Sequence, residues 1–130
     1  MINPKQFYLS LSKYSSFFSG VPDSLLKELN SVILDKHPTE KHIIAANEGV
    51  SVSLGIGHFI ATKEIAIVYL QNSGLGNIVN PIISLANKRI YGVPMLLIIG
   101  WRGEPGLKDE PQHVTQGKIQ EDLFLSLIHI

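Results

Sequence analysis

The sequence of 130 residues contains no cysteine. This absence excludes disulfides, thiolate metal sites and cysteine nucleophiles, and it is compatible with a cytoplasmic protein. Aromatic residues make up only 8% of the chain, the 11 basic and 11 acidic residues cancel, and no basic run occurs. We therefore expect neither nucleic acid nor an anionic membrane surface as a partner.

Long apolar runs are also missing. Runs such as Met95–Ile99 are far too short to cross a bilayer, and the first residues do not form a charged-then-apolar leader. A chain of this length forms one domain. We expect a single soluble domain in the cytoplasm, with no membrane partner.

The apolar runs that are present are short and rich in β-branched residues. Those at 42–46 and 65–70 are each followed by a polar turn and a helix-length segment, which is typical of parallel strands joined by crossover helices. A first strand is predicted at 16–19, and the apolar run 93–100 predicts a strand in the buried middle of the sheet. The predicted fold class is α/β, a parallel sheet with helices on both faces, and the apolar chain end indicates a domain incomplete at its C-terminus.

Helical periodicity predicts helices over 4–14 and 25–33 and from 114 onward. The apolar face of the last helix is expected to consist of Val114, Ile119, Leu123, Leu127 and Ile128. The polar connection 35–41 should be solvated, with Lys36 and His37 facing water.

Two carboxylates follow predicted strands. Glu48 follows the second strand, and the carboxyl ends of parallel strands meet at one edge, where ligands bind. A structural interpretation is also open, because Asn47 can cap the next helix and Glu48 favours its positive end by roughly 0.3–1 kcal/mol. Asp23 has the same two interpretations: either it or Ser24 caps a helix, or Asp23 ends the first strand on the edge that carries Glu48.

The helix after Glu48 contains Gly49, Gly55 and Gly57. Each interior glycine costs a helix about 1 kcal/mol relative to alanine, so we expect a tight packing surface there, between subunits or against a ligand. His58, in the same helix, is interpreted as a core or interface histidine. No metal site is predicted from the histidines of the chain, which are His37, His42, His58, His113 and His129.

A glycine-rich turn, 71–77, joins the third predicted strand to a helix ending near Ala86. Such turns often bring backbone close to a phosphate or a cofactor. Val79 replaces the third glycine of the dinucleotide fingerprint, and no Gly-Lys-Ser/Thr sequence follows. The turn is therefore predicted to form a backbone-lined wall of a pocket.

The segment 101–113 combines two cations, three carboxylates, a histidine and a tryptophan. A loop of this content at the carboxyl edge of a sheet is a candidate for substrate recognition, and a solvated turn is the alternative.

Three stretches closely resemble the phosphonopyruvate decarboxylase family of thiamine diphosphate enzymes. They are Asn47-Glu-Gly after the strand at 43–46, Tyr69-Leu-Gln-Asn-Ser-Gly-Leu-Gly-Asn77, and the loop 100–113. More loosely, the chain resembles the alpha subunits of sulfopyruvate decarboxylases. The Gly20-Val-Pro-Asp23 turn is similar to one in the wider thiamine decarboxylase group.

The resemblance implies that residues 1–130 are an aminopyrimidine-binding domain, and that the domain holding Mg²⁺ and diphosphate is absent. Thiamine diphosphate would then bind between this chain and a diphosphate-binding domain or subunit, in a homo-oligomer or a complex. The chain is expected to be inactive alone.

The resemblance also implies roles for individual residues that stand at matching positions of the sequence. Glu48 matches the glutamate that hydrogen-bonds the pyrimidine ring nitrogen and promotes the imino tautomer, and Asp23 resembles an acid that assists proton transfers. The residues expected to contact the cofactor from the glycine-rich turn are Gln71, Asn72, Ser73, Gly74, Gly76 and Asn77. Loop position and charge favour Arg102, Lys108 and His113 for the anions of the substrate.

The implied substrate is a 2-oxo acid with a second anionic group. Phosphonopyruvate would yield phosphonoacetaldehyde and CO₂, and sulfopyruvate is the alternative substrate. A second alternative is a non-catalytic truncated product that associates with full-length chains.

Overall fold

The computed structural model describes residues 2–128. Five α-helices and four strands follow one another along these residues. They are α1 (Pro4–Leu11), β1 (Phe18–Gly20), α2 (Lys27–Lys36), β2 (His42–Ile44), α3 (Glu48–Thr62), β3 (Ala66–Gln71), α4 (Leu75–Pro81), β4 (Met95–Gly100) and α5 (Pro111–Ile128). A π-helical turn, Ile82–Ala86, continues α4 beyond Pro81. No described helix combines the length and the apolar character needed to cross a membrane.

All four strands are parallel, in the order β2-β1-β3-β4. The predicted α/β class is confirmed, since helices cover both faces of this sheet. The prediction that 93–100 forms the buried middle of the sheet is wrong. Within residues 2–128 β4 is an edge strand, and Leu96 exposes 37% of its surface. An unbroken apolar run indicates that side chains on both faces of a strand contact the core. It carries no information on the order of the strands in the sheet.

The core consists of two layers, one on each face of the sheet. Successive side chains of β3 alternate between them, so that Ile67 and Tyr69 belong to one layer and Val68 and Leu70 to the other. The first layer also contains Tyr8, Leu11, Phe18, Leu29 and Ile33 from α1, β1 and α2. The second contains Val52, Ile56, Leu75, Ile78 and Val93 beneath α3 and α4.

Two of the glycines in α3 bring this helix close to other parts of the same chain. A Cβ at Gly55 would lie 3.0 Å from the Cβ of Ala66 in β3, and one at Gly49 would lie 2.8 Å from the carbonyl oxygen of Asn77 in α4. Gly57 faces open space. The predicted tight packing surface is therefore an internal contact at Gly49 and Gly55.

A hydroxyl and an imidazole tie the three strands β2, β1 and β3 together. The ring of Tyr69 lies over Gly20, where any side chain would overlap it, and its hydroxyl lies 2.7 Å from Nε2 of His42. Burial raises the pKa of Tyr69 to about 12. Burial, and then the charge of His37, lower the pKa of His42.

Two of the histidines are packed against aromatic rings. The prediction that His37 faces water is wrong, because its ring is buried with Nε2 2.8 Å from the carbonyl oxygen of Ser16 and Nδ1 3.2 Å from the hydroxyl of Tyr8. Both ring nitrogens have partners, so burial leaves neither unsatisfied. His58 stacks on Phe17 at 4.4 Å between ring centroids, which confirms its interpretation as a packed histidine.

The predicted apolar face of α5 is only partly correct. Val114 and Ile119 expose 37% and 47% of their surface, whereas Gly117 and Gln120 are buried. A Cβ at Gly117 would overlap the carbonyl group of Gly103, so the loop before α5 dictates which side of the helix faces inward. The side chain of Ile128 lies outside the described residues, as does His129.

Candidate functional site

The carboxyl ends of the four strands meet at one edge of the sheet, which we call the carboxyl edge. Four segments lie there: 21–26 after β1, 45–48 after β2, 71–77 after β3 and 101–113 after β4. All the predicted site residues fall in these segments.

Glu48 is the first residue of α3. Asn47 caps the helix, since its Oδ1 accepts a hydrogen bond from the backbone N–H of Val50 at 3.0 Å. The Glu48 side chain is partly buried, and its Oε2 accepts a hydrogen bond from Nδ2 of Asn77 at 2.7 Å. Glu48 therefore occupies a favourable helix start and also reaches the turn that follows β3.

Asp23 follows β1 and is 6% exposed. Its Oδ2 accepts a hydrogen bond from the backbone N–H of Leu25 at 3.2 Å, and its Oδ1 has no partner within the described chain. The prediction that Asp23 or Ser24 caps the following helix is wrong, because a separate turn intervenes and α2 begins without a side-chain cap. A side chain at Gly100 would overlap Asp23, which places this carboxylate against the end of β4.

The amide of Asn72 joins the ends of β3 and β4. Asn72 is fully buried, its Nδ2 donates to the carbonyl oxygen of Arg102 at 2.7 Å, and its Oδ1 accepts from the Arg102 backbone N–H at 3.2 Å. The carbonyl oxygen of Asn72 accepts from Nε2 of Gln116 at 2.9 Å. Both polar atoms of the Asn72 side chain are therefore occupied by hydrogen bonds to the backbone of Arg102.

Gln71, the residue before Asn72, donates a hydrogen bond from its side-chain amide to the hydroxyl of Ser73 at 3.0 Å. Its contact with a cofactor stays a prediction.

Arg102 is held by the carboxylate of Asp109. Its Nε donates to Oδ2 of Asp109 at 2.8 Å, its Nη2 donates to Oδ1, and its Nη1 donates to Oγ of Ser24 at 3.1 Å. The hydrogen bonds from Arg102 hold the pKa of Asp109 well below its usual range, and they raise the pKa of Arg102. The forked contact is the geometry that guanidinium and carboxylate groups favour.

Asp109 also organises the rest of the 101–113 segment. It accepts hydrogen bonds from the backbone N–H groups of Gly103 and Glu110, both at 2.7 Å, and lies 3.2 Å from Nδ1 of His113. Sequence analysis missed this role. The available signal was the spacing of four residues between Asp109 and His113 in the sequence.

The structure brings the predicted residues into two groups on the carboxyl edge. Glu48 meets Gly74 and Asn77 in the first. Arg102 and His113 meet at Asp109 in the second, beside the turn that contains Asp23. Lys108 is exposed and belongs to neither group.

One acceptor group of this edge, the Glu48 carboxylate, suits part of a thiamine cofactor. The Glu48 carboxylate, at the positive end of a helix, can accept a hydrogen bond from an organic ring. Within residues 2–128, no group of three or more histidine, aspartate and glutamate side chains is placed to hold a metal ion. The Glu48 carboxylate therefore suits a hydrogen bond from the ring of such a cofactor.

Comparison with known proteins defines the class. Residues 10–124 match the family of thiamine pyrophosphate enzymes, at its N-terminal TPP binding domain. The chain belongs to this family, and the resemblance derived from its residues is confirmed.

Two kinds of enzyme stand among its relatives. The chain is 40% identical over 107 residues to a phosphonopyruvate decarboxylase of Streptomyces viridochromogenes, a match that covers 82% of this chain and 26% of that protein. It is 36% identical over 112 residues to the sulfopyruvate decarboxylase subunit alpha of Methanocaldococcus jannaschii, covering 83% of this chain and 61% of that subunit. The chain thus spans about a quarter of the length of the phosphonopyruvate decarboxylases it matches.

Proposed function

We propose that this chain is the pyrimidine-binding part of a thiamine-diphosphate-dependent decarboxylase that converts phosphonopyruvate to phosphonoacetaldehyde and CO₂. Membership of the thiamine pyrophosphate enzyme family and the 40% identity to a phosphonopyruvate decarboxylase support the proposal. The observation that carries it is the Glu48 carboxylate, which stands at the carboxyl edge with one oxygen bonded to Asn77.

Glu48 would hydrogen-bond the pyrimidine ring of thiamine diphosphate and move a proton there through its carboxylate. When bound, the cofactor supplies the electron sink that decarboxylation of a 2-oxo acid requires. Asp23, buried and with Oδ1 free of any described partner, is the second group proposed to transfer protons. Mg²⁺ and the diphosphate would be held by a second domain or subunit, in a cytoplasmic homo-oligomer or complex.

Arg102, Lys108 and His113 are proposed to meet the anionic groups of the substrate. A guanidinium has five N–H donors, and the three hydrogen bonds described for Arg102 leave two for a ligand. The pairing with Asp109 fixes the orientation of this guanidinium before a substrate arrives.

Sulfopyruvate is the second candidate substrate. The match to sulfopyruvate decarboxylase subunit alpha covers 61% of that subunit, a larger share than the match to the phosphonopyruvate decarboxylases. A sulfonate and a phosphonate present similar oxygens to the same cations, so geometry favours neither.

Reconstitution tests the proposal. The chain is mixed with a separately produced diphosphate-binding domain of a phosphonopyruvate decarboxylase, thiamine diphosphate and Mg²⁺, and CO₂ release is measured with phosphonopyruvate, sulfopyruvate and pyruvate. We expect kcat/KM to be highest for phosphonopyruvate. A higher value for sulfopyruvate would assign the alternative substrate, and no release from any 2-oxo acid would contradict the proposed activity.

The same assay tests the cations. Arg102→Ala should lower kcat/KM for phosphonopyruvate roughly ten- to a hundred-fold and leave that for pyruvate, which lacks the second anion, nearly unchanged. Lys108→Ala should do the same more mildly, because an ammonium on a flexible stem forms a less defined contact than a fork. Arg89→Ala, at an exposed position outside the carboxyl edge, is the control. Equal losses on both substrates would mean that Arg102 serves the fold of the loop.

A further inference from the structure

The carboxyl group of Glu48 is held from two sides by the segment after β3. Asn77 donates a hydrogen bond from Nδ2 to Oε2 at 2.7 Å. Gly74 lies beneath the same carboxyl group, and a Cβ at this position would overlap Cγ, Cδ and Oε1 of Glu48. In the described part of the chain, Oε1 accepts no hydrogen bond.

We propose that Asn77 and Gly74 are positioning residues for Glu48: Asn77 fixes Oε2, and Gly74 leaves the space in which the carboxyl group lies, so that Oε1 remains for the ligand. The inference rests on the proposed function of Glu48. It gives Asn77 and Gly74 a role that acts through this carboxylate, in place of the direct cofactor contact predicted for them from the sequence.

Backbone strain is not the reason for a glycine at position 74. Its φ of −83° and ψ of −2° are open to any L-amino acid, so no strain requires glycine. Two residues further, Gly76 has nothing near its missing Cβ. The two glycines of the turn therefore form a matched pair, in which only Gly74 is opposed by the carboxyl group.

The hydrogen bond between Glu48 and Asn77 connects segments that follow two strands which are not neighbours in the sheet. Glu48 follows β2 and Asn77 follows β3, and β1 lies between these strands in the sheet. Gly49 allows this approach, because its missing Cβ lets the start of α3 come close to the carbonyl oxygen of Asn77. A long side chain at a helix start is otherwise free to change rotamer, and a catalytic group works only within about 0.5 Å of its productive position.

A double-mutant cycle on the full chain, without cofactor, tests the packing contact. Gly74→Ala should lower the thermal unfolding midpoint by about 2–5 °C, because the methyl group turns the Glu48 side chain away and the hydrogen bond from Asn77 is lost. The same change in the Glu48→Ala background should cost almost nothing, and Gly76→Ala should lower the midpoint in neither background. An equal loss with and without Glu48 would overturn the inference.

Asn77 is tested by a spectroscopic and a kinetic measurement. In a chain labelled with [13C]glutamate, Asn77→Ala should move the Cδ resonance of Glu48, whereas Asn80→Ala, one turn further along the same helix, should not. In the reconstituted enzyme, Asn77→Ala should lower kcat at least tenfold with KM for the 2-oxo acid within about twofold. An unmoved resonance in Asn77→Ala would overturn the role of Asn77.

The outcomes separate this inference from the proposed function. Normal kcat in Asn77→Ala, together with a large loss in Glu48→Gln, would overturn the positioning role and leave the function of Glu48 standing. Normal kcat in Glu48→Gln would overturn the proposed function and the positioning role together, even where the unfolding cycle shows the contact.

Discussion

Individual carboxylates organise the two residue groups of the carboxyl edge. A carboxylate accepts several hydrogen bonds at once, and Asp109 uses this capacity fully, with side-chain partners at Arg102 and His113 and backbone partners at Gly103 and Glu110. Glu48 accepts one bond, from Asn77, and keeps an oxygen without a described partner. The first pattern is that of a structural centre, and the second leaves an oxygen open, as the proposed function of Glu48 requires.

Asp109→Asn should make stability less sensitive to acid. Hydrogen bonds from Arg102 keep the pKa of Asp109 below its usual range in the folded chain, so the stability it contributes is complete above about pH 4 and is lost as pH falls below that value. We expect the variant to be less stable than the wild type at pH 7, with a difference that shrinks between about pH 4 and pH 2. Urea unfolding over this range measures it.

Asp35→Asn is the control for this prediction, since the side chain of Asp35 is 73% exposed. A difference between Asp109→Asn and the wild type that stays constant down to pH 2 would show that the carboxylate charge is not what stabilises the loop.

The sequence predicted contacts between residues that are close along the chain, and it did not predict contacts that depend on the fold. The cap at Asn47 follows from local sequence, because donor and acceptor lie within one turn. The partner of Glu48 is 29 residues away, and the contact exists only because the order of strands brings two crossover helices together. The centre formed by Asp109 depends on the path of a loop, which side-chain periodicity does not describe.

At the scale of elements, α3 is placed by its glycines. Gly55 lies against Ala66 and Val68 of β3, which are fully buried in the centre of the sheet and have no room to move. Gly57, half a turn away, faces outward. The close approach of α3 to β3 places the helix start, and with it Glu48, over the carboxyl edge.

Substituting these two glycines should give opposite results. Gly57→Ala should stabilise the chain by about 0.5–1 kcal/mol, because alanine favours the helix and meets no neighbour. Gly55→Ala should destabilise it by about 1–2 kcal/mol, since overpacking against β3 outweighs the same helical gain. Urea unfolding of both variants measures the difference, and stabilisation by Gly55→Ala would contradict the described packing of α3.

The strands and helices themselves were largely predictable, whereas their order in the sheet was not. Apolar runs and polar turns located β2, β3 and β4 to within a few residues. The edge position of β4 escaped prediction because its side chains reach both core layers, Ile98 in one and Met95, Leu97 and Ile99 in the other, which gives it the composition of a central strand. The inward side of α5 escaped it because Gly103, outside the helix, determines the contact at Gly117.

At the scale of the whole molecule, the chain offers one part of a cofactor site. It matches an N-terminal TPP binding domain and spans about a quarter of the phosphonopyruvate decarboxylases related to it. Its carboxyl edge carries the Glu48 carboxylate, which we propose for the pyrimidine ring, and within residues 2–128 no group of three or more histidine, aspartate and glutamate side chains is placed to hold a metal ion.

The isolated chain should therefore bind thiamine diphosphate weakly or not at all. The charged diphosphate and its metal would supply much of the affinity, and their ligands are proposed to lie on another domain or subunit. Isothermal titration calorimetry with and without Mg²⁺ measures this, and addition of a diphosphate-binding domain should produce tight binding. Tight, Mg²⁺-dependent binding by the chain alone would contradict the proposed division of the site.

Turnover by Glu48→Gln in the reconstituted enzyme is the most direct test of the central claim. The amide has nearly the same shape but cannot exchange a proton as a carboxylate does, so we expect cofactor binding within a few-fold of the wild type and a loss of roughly 10²–10⁴-fold in CO₂ release. Glu40→Gln, an exposed glutamate outside the carboxyl edge, should have no effect. Turnover of Glu48→Gln near the wild-type rate would contradict the account and leave Glu48 as a residue that only favours the start of α3.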